Sequence, residues 1–338
     1  MIDNQEETLS TFNKAVEKDW LHVFLVNNPI TVLVARLIID FFKISQSNIM
    51  IVSIRNTDTK ILSDSPVYTR INFMDKILIK FLNLKPLSNK LLSKIEKKGK
   101  HFLLYSSWAF DEKQINTSGI STISSHPSLE KLLNSKLCKG HSYIEEGQAS
   151  YRPSNPYLPE MKKIYNKKYV QNIKNFTDDE DRLKARLYYR SDALAFFGLL
   201  DDVFPKAEIE KKIIFSNYED LKKYYQPQLK GIESIGITCA TRRISEEKWE
   251  RMLALLIENI NGRGAIKLHP SFVNEEAKRN KIELLFKKLA PSSIHLCNDD
   301  VNIELEMLYE SKKLIGSRTS LKKYAEEFGS KFLEVDLY

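Results

Sequence analysis

The sequence predicts an α/β protein with two doubly wound domains, each built on a parallel sheet. Short apolar segments typical of buried strands alternate with segments typical of helices, first over residues 21–145 and again over residues 232–335. The length of 338 residues fits two domains of ordinary size. A stretch rich in Pro, Tyr and Lys over residues 151–168, and Phe204-Pro205 beyond it, separate the halves, so we place the boundary between residues 205 and 206.

The first half opens with a strand and a capped helix. Residues 21–26 form a short apolar segment that includes β-branched side chains, as in a buried strand. Asn28 and Pro29 match an N-cap followed by proline in the first helical turn, and the helix continues to about Phe42. The remaining predicted strands are 48–54, 102–106, 120–123 and 142–145, and the remaining predicted helices are 68–100 and 177–197.

The second half repeats the alternation. Ser245 is a candidate cap for a helix with two glutamates in its first turn, and Gly262 ends that helix. The predicted strands are 232–238, 264–268, 294–296, 314–316 and 332–335, and the other predicted helices are 275–289, 303–311 and 320–328. The chain has 11 glycines and no GxGxxG pattern, so it lacks the glycine-rich dinucleotide-binding motif.

Composition narrows the class of partner and the compartment. The net charge of +8 fits a polyanion binder, a protein on an anionic membrane face or an enzyme with anionic substrates, and no nucleic-acid motif is present. Three cysteines without a CxxC pattern favour reduced thiols and a cytoplasmic setting. The N-terminus is too acidic for a signal peptide, and charged residues interrupt the apolar residues 23–42, so no membrane span is expected.

An acidic pair, Glu145-Glu146, stands before Gly147 where a predicted strand meets its loop. Ligands of open α/β sheets bind outside the carboxyl ends of the strands, and a carboxylate there can deprotonate an attacking hydroxyl. Neighbouring strand residues point to opposite sides, so only one of the two is expected to reach a ligand. Two solvated acids before a turn glycine are the alternative interpretation.

His269-Pro270 also ends a predicted strand. Proline holds the preceding residue in an extended conformation, and a held imidazole can donate to a phosphate oxygen and offset its charge. Lys267 adds positive charge, although strand alternation favours the opposite direction for its side chain. A turn histidine without a ligand is the alternative.

Hydroxyl side chains lie between a later predicted strand and helix, at Ser317, Thr319 and Ser320. Hydroxyls and free N–H groups at a helix start can bind an anion, although simple capping is an equal alternative. Glu304 and Glu306, on the preceding predicted helix, could accept hydrogen bonds from a ribose, although a solvated helix face is the favoured alternative for one of the two. No metal site is predicted, since Asp201-Asp202 has no third ligand at a useful spacing.

In combination these motifs resemble those of the bacterial sialyltransferase group with a GT-B fold. Members carry a D/E-D/E-G motif in the first domain, then an HP motif and a paired Ser/Thr motif in the second. Here they are Glu145-Glu146-Gly147, His269-Pro270 and Thr319-Ser320, with supporting similarity over residues 192–205 and 314–320. Transferases that use CMP-activated Kdo, legionaminic acid or pseudaminic acid carry similar motifs, so the donor stays open among these sugars.

The resemblance implies two Rossmann-like domains facing a central cleft. Residues 1–205 would form the acceptor-side domain with the catalytic base, and residues 206–338 would bind the CMP-sugar. Glu145 would be the general base, and His269 would bind the CMP phosphate and stabilise the leaving group. The supporting residues are Glu146 and Gly147 beside the base, Pro270, Ser317, Thr319 and Ser320 at the phosphate, and Glu304 at the ribose, with Glu306 as the fallback.

The implied reaction is inverting, metal-independent transfer of sialic acid from CMP-Neu5Ac to a glycan hydroxyl on lipooligosaccharide or capsule, with no cofactor beyond the donor. The rivals are another CMP-activated acid sugar, a UDP-sugar enzyme of the same fold and a non-catalytic polyanion or nucleic-acid binder. We expect a cytoplasmic protein. Its lysine-rich residues 94–100 and 162–168 are compatible with peripheral contact with an anionic inner membrane, or with ordinary solvated faces.

Overall fold

The computed structural model describes residues 2–53, 59–62, 67–68, 86–107, 132–133, 135–151, 193–205, 207–273, 276–317, 319 and 321–337. The chain forms two compact units, Met1–Ser216 and Asn217–Tyr338. This division falls later than the predicted position between residues 205 and 206. The reason is a short strand at Lys212–Ile214, which pairs with a strand of the first unit and therefore belongs to it.

The first unit is a parallel sheet of seven strands. Its strands are β1 (Leu21–Val26), β2 (Ile49–Ser53), β3 (Val67–Tyr68), β4 (Phe102–Ser106), β5 (Cys138–Ile144), β6 (Phe196–Gly198) and β7 (Lys212–Ile214), and its helices are α1 (Ile2–Glu17), α2 (Pro29–Phe41) and α3 (Pro86–Lys98). The strand order is β3-β2-β1-β4-β5-β6-β7. The order therefore reverses between β1 and β4, as in a doubly wound sheet.

The helix α2 begins as the sequence predicts. The side chain of Asn28 accepts a hydrogen bond from the backbone N–H of Thr31 at 2.9 Å, and the Thr31 hydroxyl accepts one from the N–H of Asn28 at 3.2 Å. This reciprocal capping box satisfies donors that the helix itself leaves unpaired. Pro29 follows in the first turn, where its missing N–H costs nothing.

The second unit is a parallel sheet of five strands in the order β10-β9-β8-β11-β12. Its strands are β8 (Ser234–Ile237), β9 (Gly264–Lys267), β10 (Ile294–Leu296), β11 (Lys313–Gly316) and β12 (Lys331–Glu334). Its helices are α4 (Trp249–Glu258), α5 (Pro270–Val273), α6 (Glu276–Leu289), α7 (Ile303–Tyr309) and α8 (Leu321–Glu327). The order reverses between β8 and β11, so both units share the doubly wound plan, and the predicted fold class is confirmed.

Three sequence predictions about local structure are wrong. The predicted helix 68–100 begins too early, because Tyr68 belongs to β3, which pairs with β2. The end of the predicted helix 177–197 is not helical, because Phe196 and Phe197 form β6 between β5 and β7. Both phenylalanines are buried, so tertiary pairing overrides the local pattern. Ser245 makes no side-chain capping bond, and a short 3₁₀ turn at Glu246–Lys248 precedes α4 instead. The predicted strand 120–123, the loop 152–168, residues 69–85 of the predicted helix 68–100 and residues 177–192 of the predicted helix 177–197 lie outside the described residues.

Each unit has its own apolar core. Aliphatic and aromatic residues from β1, β2, β4 and β6 pack together in the first unit. In the second unit Trp249, Leu253 and Leu256 of α4 pack with residues of β9, β10 and β11. Within the described parts of the chain, none of the helices combines the length and the apolar character that crossing a membrane requires.

Candidate functional site

The carboxyl ends of β1, β4 and β5 meet at one edge of the first sheet. Leu25 pairs with Ser106, and Ser106 pairs with Tyr143, so the residues that follow these strands lie along the same edge. Asn27 follows β1 and the acidic pair follows β5. This edge includes the point where the strand order reverses, which is where open α/β sheets bind ligands.

Glu145 is completely buried at this edge. Its Oε2 accepts a hydrogen bond from the N–H of Leu199 at 2.7 Å, and its Oε1 accepts one from the hydroxyl of Tyr151. Its own N–H donates to the carbonyl of Phe197 at 2.9 Å, which extends the pairing of β5 with β6 by one residue. Glu145 therefore ties the end of β5 to the segment that follows β6.

Glu146 is partly exposed and turns the other way. Its Oε1 accepts a hydrogen bond from Asn27 Nδ2 at 3.2 Å, and its carbonyl accepts one from Asn28 Nδ2 at 2.8 Å. Its N–H donates to Ser150 Oγ at 2.9 Å. The two carboxylates therefore have different partners, Leu199 and Tyr151 for Glu145 and Asn27 for Glu146.

Gly147 completes the turn after the acidic pair. Its φ is +105°, a backbone conformation that L side chains rarely adopt, so glycine is required here. Its carbonyl accepts the N–H of Ser150 at 2.9 Å. The turn thereby brings the Ser150 hydroxyl to the N–H of Glu146.

His269 follows β9 in the second unit and is held on one side of its ring. Nδ1 accepts a hydrogen bond from the N–H of Ser271 at 3.1 Å and lies 2.9 Å from the Ser271 hydroxyl. That hydroxyl itself accepts from the N–H of Thr241 at 2.9 Å, so its own proton is directed to Nδ1. Because Nδ1 is an acceptor, the ring proton of the neutral imidazole resides on Nε2, which can donate to an anion.

The backbone of His269 is also fixed. Its N–H donates to the hydroxyl of Thr238, a buried residue that follows β8, at 2.7 Å. Ser271 and Thr238 were not singled out from the sequence. A serine two residues after the histidine is a local signal for side-chain-to-backbone bonding, whereas Thr238 becomes a partner only through the pairing of β8 with β9.

The hydroxyl motif follows β11 on the other side of β8. Gly316 pairs with Ile237, and Ile237 pairs with Lys267, so Ser317 and the His269 segment leave the same edge of the sheet. Ser317 is buried and Thr319 is partly exposed. Ser320, the remaining predicted phosphate ligand, lies outside the described residues.

Lys267 has a local structural role. Its Nζ donates to the carbonyls of Asn298 and Asp299 at 2.9 and 2.8 Å, which anchors the loop before α7. Burial lowers the pKa of Lys267, while the nearby Cys297 and the acidic side chains of that loop and of Glu304 oppose the shift.

The two candidate ribose ligands on α7 differ sharply. Glu306 is buried, and its carboxylate accepts hydrogen bonds from the hydroxyl of Tyr225 at 2.6 Å and the N–H groups of Gln228 and Leu229 at 2.7 and 3.1 Å. Glu304 is partly exposed, and desolvation raises its pKa against the opposing charge of Lys267. Its three hydrogen bonds make Glu306 a structural carboxylate, whereas Glu304 is the more exposed of the two side chains.

Comparison with solved structures supports the architecture. The chain is similar to the S. aureus MnaA–UDP co-structure (TM-score 0.52, 12% identity, 93% of this chain and 78% of that chain). It is also similar to a putative UDP-N-acetylglucosamine 2-epimerase from Listeria monocytogenes (0.52, 11%, 93% and 79%) and to UDP-GlcNAc 2-epimerase from Neisseria meningitidis bound to UDP-GlcNAc (0.50, 13%, 93% and 82%). No family model and no curated protein matches the sequence.

At this level of identity the likeness shows the fold alone. Both units are Rossmann-like, and the chain has the two-unit GT-B type of α/β fold. Any function assigned to the site residues therefore depends on their own geometry and on the motifs that they form.

Proposed function

We propose that the protein is an inverting, metal-independent glycosyltransferase that moves sialic acid from CMP-Neu5Ac to a hydroxyl of a surface glycan such as lipooligosaccharide or capsule. The observation that carries this proposal is His269, whose imidazole is oriented by Ser271 with Nε2 as its donor. His269 and Ser317 both follow strands that end at the same edge of the second sheet. Solved structures of similar fold hold UDP or UDP-GlcNAc, which supports a nucleotide-sugar donor in general.

The proposed chemistry is direct displacement at the anomeric carbon of the donor. A carboxylate of the Glu145-Glu146 pair takes the proton of the acceptor hydroxyl, whose oxygen forms the new bond to the anomeric carbon. The bond between that carbon and the phosphate oxygen breaks, and its electron pair leaves with CMP. The Nε2 proton of His269 then stabilises the charge that develops on the phosphate, with Thr319, Ser317 and Ser320 as further ligands.

A single phosphate needs fewer charge-stabilising groups than a diphosphate does. CMP carries one phosphate, so an imidazole and hydroxyl donors can supply what a divalent cation commonly supplies to a UDP-sugar. Glu304 is the proposed ligand of the ribose hydroxyls, since Glu306 already accepts three hydrogen bonds.

Ligand-dependent thermal stability tests the donor. CMP at about 100 times its dissociation constant should stabilise the protein by about 2.7 kcal/mol, which raises Tm by several degrees, whereas UDP should do so much less. A transfer assay with CMP-Neu5Ac, CMP-Kdo, CMP-legionaminic acid and CMP-pseudaminic acid then identifies the sugar. Stabilisation by UDP but not CMP would replace this proposal with a UDP-sugar enzyme.

The charge of +8 motivates one control. A polyanion or nucleic-acid binder would bind an oligonucleotide with a steep loss of affinity as salt rises, and it would show no stabilisation by CMP. That combination of results would reject the enzymatic proposal.

A further inference from the structure

We propose that Glu146 is the carboxylate that accepts the proton from the acceptor hydroxyl, and that Glu145 is a positioning residue that holds the end of β5. This assignment rests on the proposed function and reverses the roles that the motif resemblance implies. Two observations support it: the burial of each side chain, and its hydrogen-bond partners, which also indicate the direction in which it turns.

Direction separates the two glutamates first. Glu145 bonds to Leu199 and Tyr151, on the side of β5 that carries β6. Glu146 bonds to Asn27 and Asn28, which follow β1. The strand order reverses between β1 and β4, so Glu146 turns toward the position where open α/β sheets bind their ligands, and Glu145 turns away from it.

Burial gives the same answer. A general base must come within about 2.6–3.2 Å of the oxygen whose proton it takes, so some part of it must be accessible. Glu145 has 0% exposure, whereas Glu146 is partly exposed. Gly198 contributes to the enclosure, because a Cβ at that position would lie 3.1 Å from Glu145 Oε2 and 2.4 Å from Cγ1 of Val203.

The hydrogen bonds of each residue suit its assigned role. Both oxygens of Glu145 accept from groups of the protein, one of them a buried backbone N–H that needs this acceptor. Glu146 instead has its backbone fixed on both sides, by Ser150 at its N–H and by Asn28 at its carbonyl. The carboxylate of Glu146 is thus presented from a rigid turn, as an efficient base requires.

The proton moves as follows. The acceptor O–H proton transfers to the carboxylate of Glu146 while the acceptor oxygen forms its bond to the anomeric carbon. CMP leaves with the electron pair of the broken bond, and Glu146 later releases the proton to water. Glu145 keeps its bonds to Leu199 and Tyr151 throughout and exchanges no proton with the substrate.

A matched pair of substitutions tests the assignment in the full-length protein. Glu146→Gln should lower kcat for transfer by roughly 10²–10⁴-fold, leave the KM for the donor unchanged and keep the thermal shift produced by CMP. Glu145→Gln should lower Tm by a few degrees and lower kcat by less than about tenfold. Tyr151→Phe removes a donor to Glu145 without touching either carboxylate, so it should lower Tm while kcat stays within about threefold.

Two outcomes would overturn the assignment while the proposed function stands. One is a Glu146→Gln enzyme whose kcat stays within about threefold of wild type. The other is a Glu145→Gln enzyme that loses transfer as severely as expected for Glu146→Gln at an unchanged Tm. If the wild type neither transfers from a CMP-sugar nor gains stability from CMP, the proposed function fails and this assignment fails with it.

Discussion

The two units share one strand order around the point where it reverses, but the side chains at that edge differ in chemistry between them. In the first unit the edge carries the carboxylates Glu145 and Glu146. In the second it carries His269, with hydroxyl side chains at Thr238 and Ser317. The common topology explains where each site lies, since both edges contain the strand-order reversal. The residues that follow each strand decide whether the edge carries carboxylates or an imidazole with hydroxyl groups.

The units also differ in how they accommodate buried titratable groups. In the first unit His22 lies in the core, where Nδ1 is 2.8 Å from the hydroxyl of Tyr105 and Nε2 has no hydrogen-bond partner. In the second unit the buried Glu306 receives three hydrogen bonds. Because the His22 ring is buried, we expect the stability of the first unit to depend on pH. Because the Glu306 carboxylate accepts three hydrogen bonds, we expect the stability of the second unit to fall when that carboxylate is removed.

The largest expected effect comes from removing His269, the proposed phosphate ligand of the second unit. His269→Ala should lower kcat for transfer by roughly 10²–10³-fold, because it deletes a donor to the phosphate in the transition state. It should also reduce the thermal shift produced by CMP. Steady-state kinetics and thermal denaturation with and without CMP provide the measurement.

Two serine variants calibrate that result. Ser271→Ala removes the hydroxyl at Nδ1 but keeps the backbone N–H donor, so it should lower kcat by only about tenfold. Ser245→Ala, at an exposed position without a side-chain capping bond, should behave as wild type. If His269→Ala has the same kcat as wild type, the proposed role of His269 is wrong, and with it the proposed difference in function between the two edges.

A second prediction separates the glutamates of α7. Glu306→Ala leaves the Tyr225 hydroxyl and two backbone N–H groups without their acceptor, so it should cost about 3 kcal/mol or more of stability. Glu304→Gln should keep wild-type stability and weaken CMP binding. Urea denaturation and CMP titration test the pair, and a large stability loss in Glu304→Gln would contradict the division of roles.

The smallest of these effects concerns acid stability of the first unit. Burial lowers the pKa of His22 to about 3, below its ordinary value of 6.5, so the folded state keeps this ring neutral. The contribution of His22 to stability is therefore complete above pH 6.5 and declines as pH falls toward 3. At pH 5 the loss amounts to about 2 kcal/mol relative to pH 7.

His22→Gln keeps a polar partner for Tyr105 but does not titrate, so it should lose less stability than wild type between pH 7 and pH 5. Urea denaturation at both pH values measures the difference. Among the buried residues that the structure describes, the second unit has no histidine, so the effect should belong to the first. An equal acid sensitivity in wild type and variant would refute it.

Local signals in the sequence were sufficient for much of the fold. The predicted strands 21–26, 102–106 and 294–296 have the observed bounds, and Asn28 caps α2 as expected. Buried strands and helix caps depend on residues that are close in sequence, which is why the pattern shows them. The strand β6 was mistaken for the end of a helix because its conformation depends on pairing with β5 and β7.

The sequence by itself determined the α/β class, the division into two domains and the residue types available where the strands of each sheet end. Strand and helix periodicity, caps and turn residues act over a few positions, so they can be read along the chain. Only the tertiary structure decided which glutamate faces the reversal in strand order and which is enclosed. That choice depends on Leu199, 54 positions from Glu145, and on Asn27, 119 positions from Glu146, and the sheet alone brings these residues together.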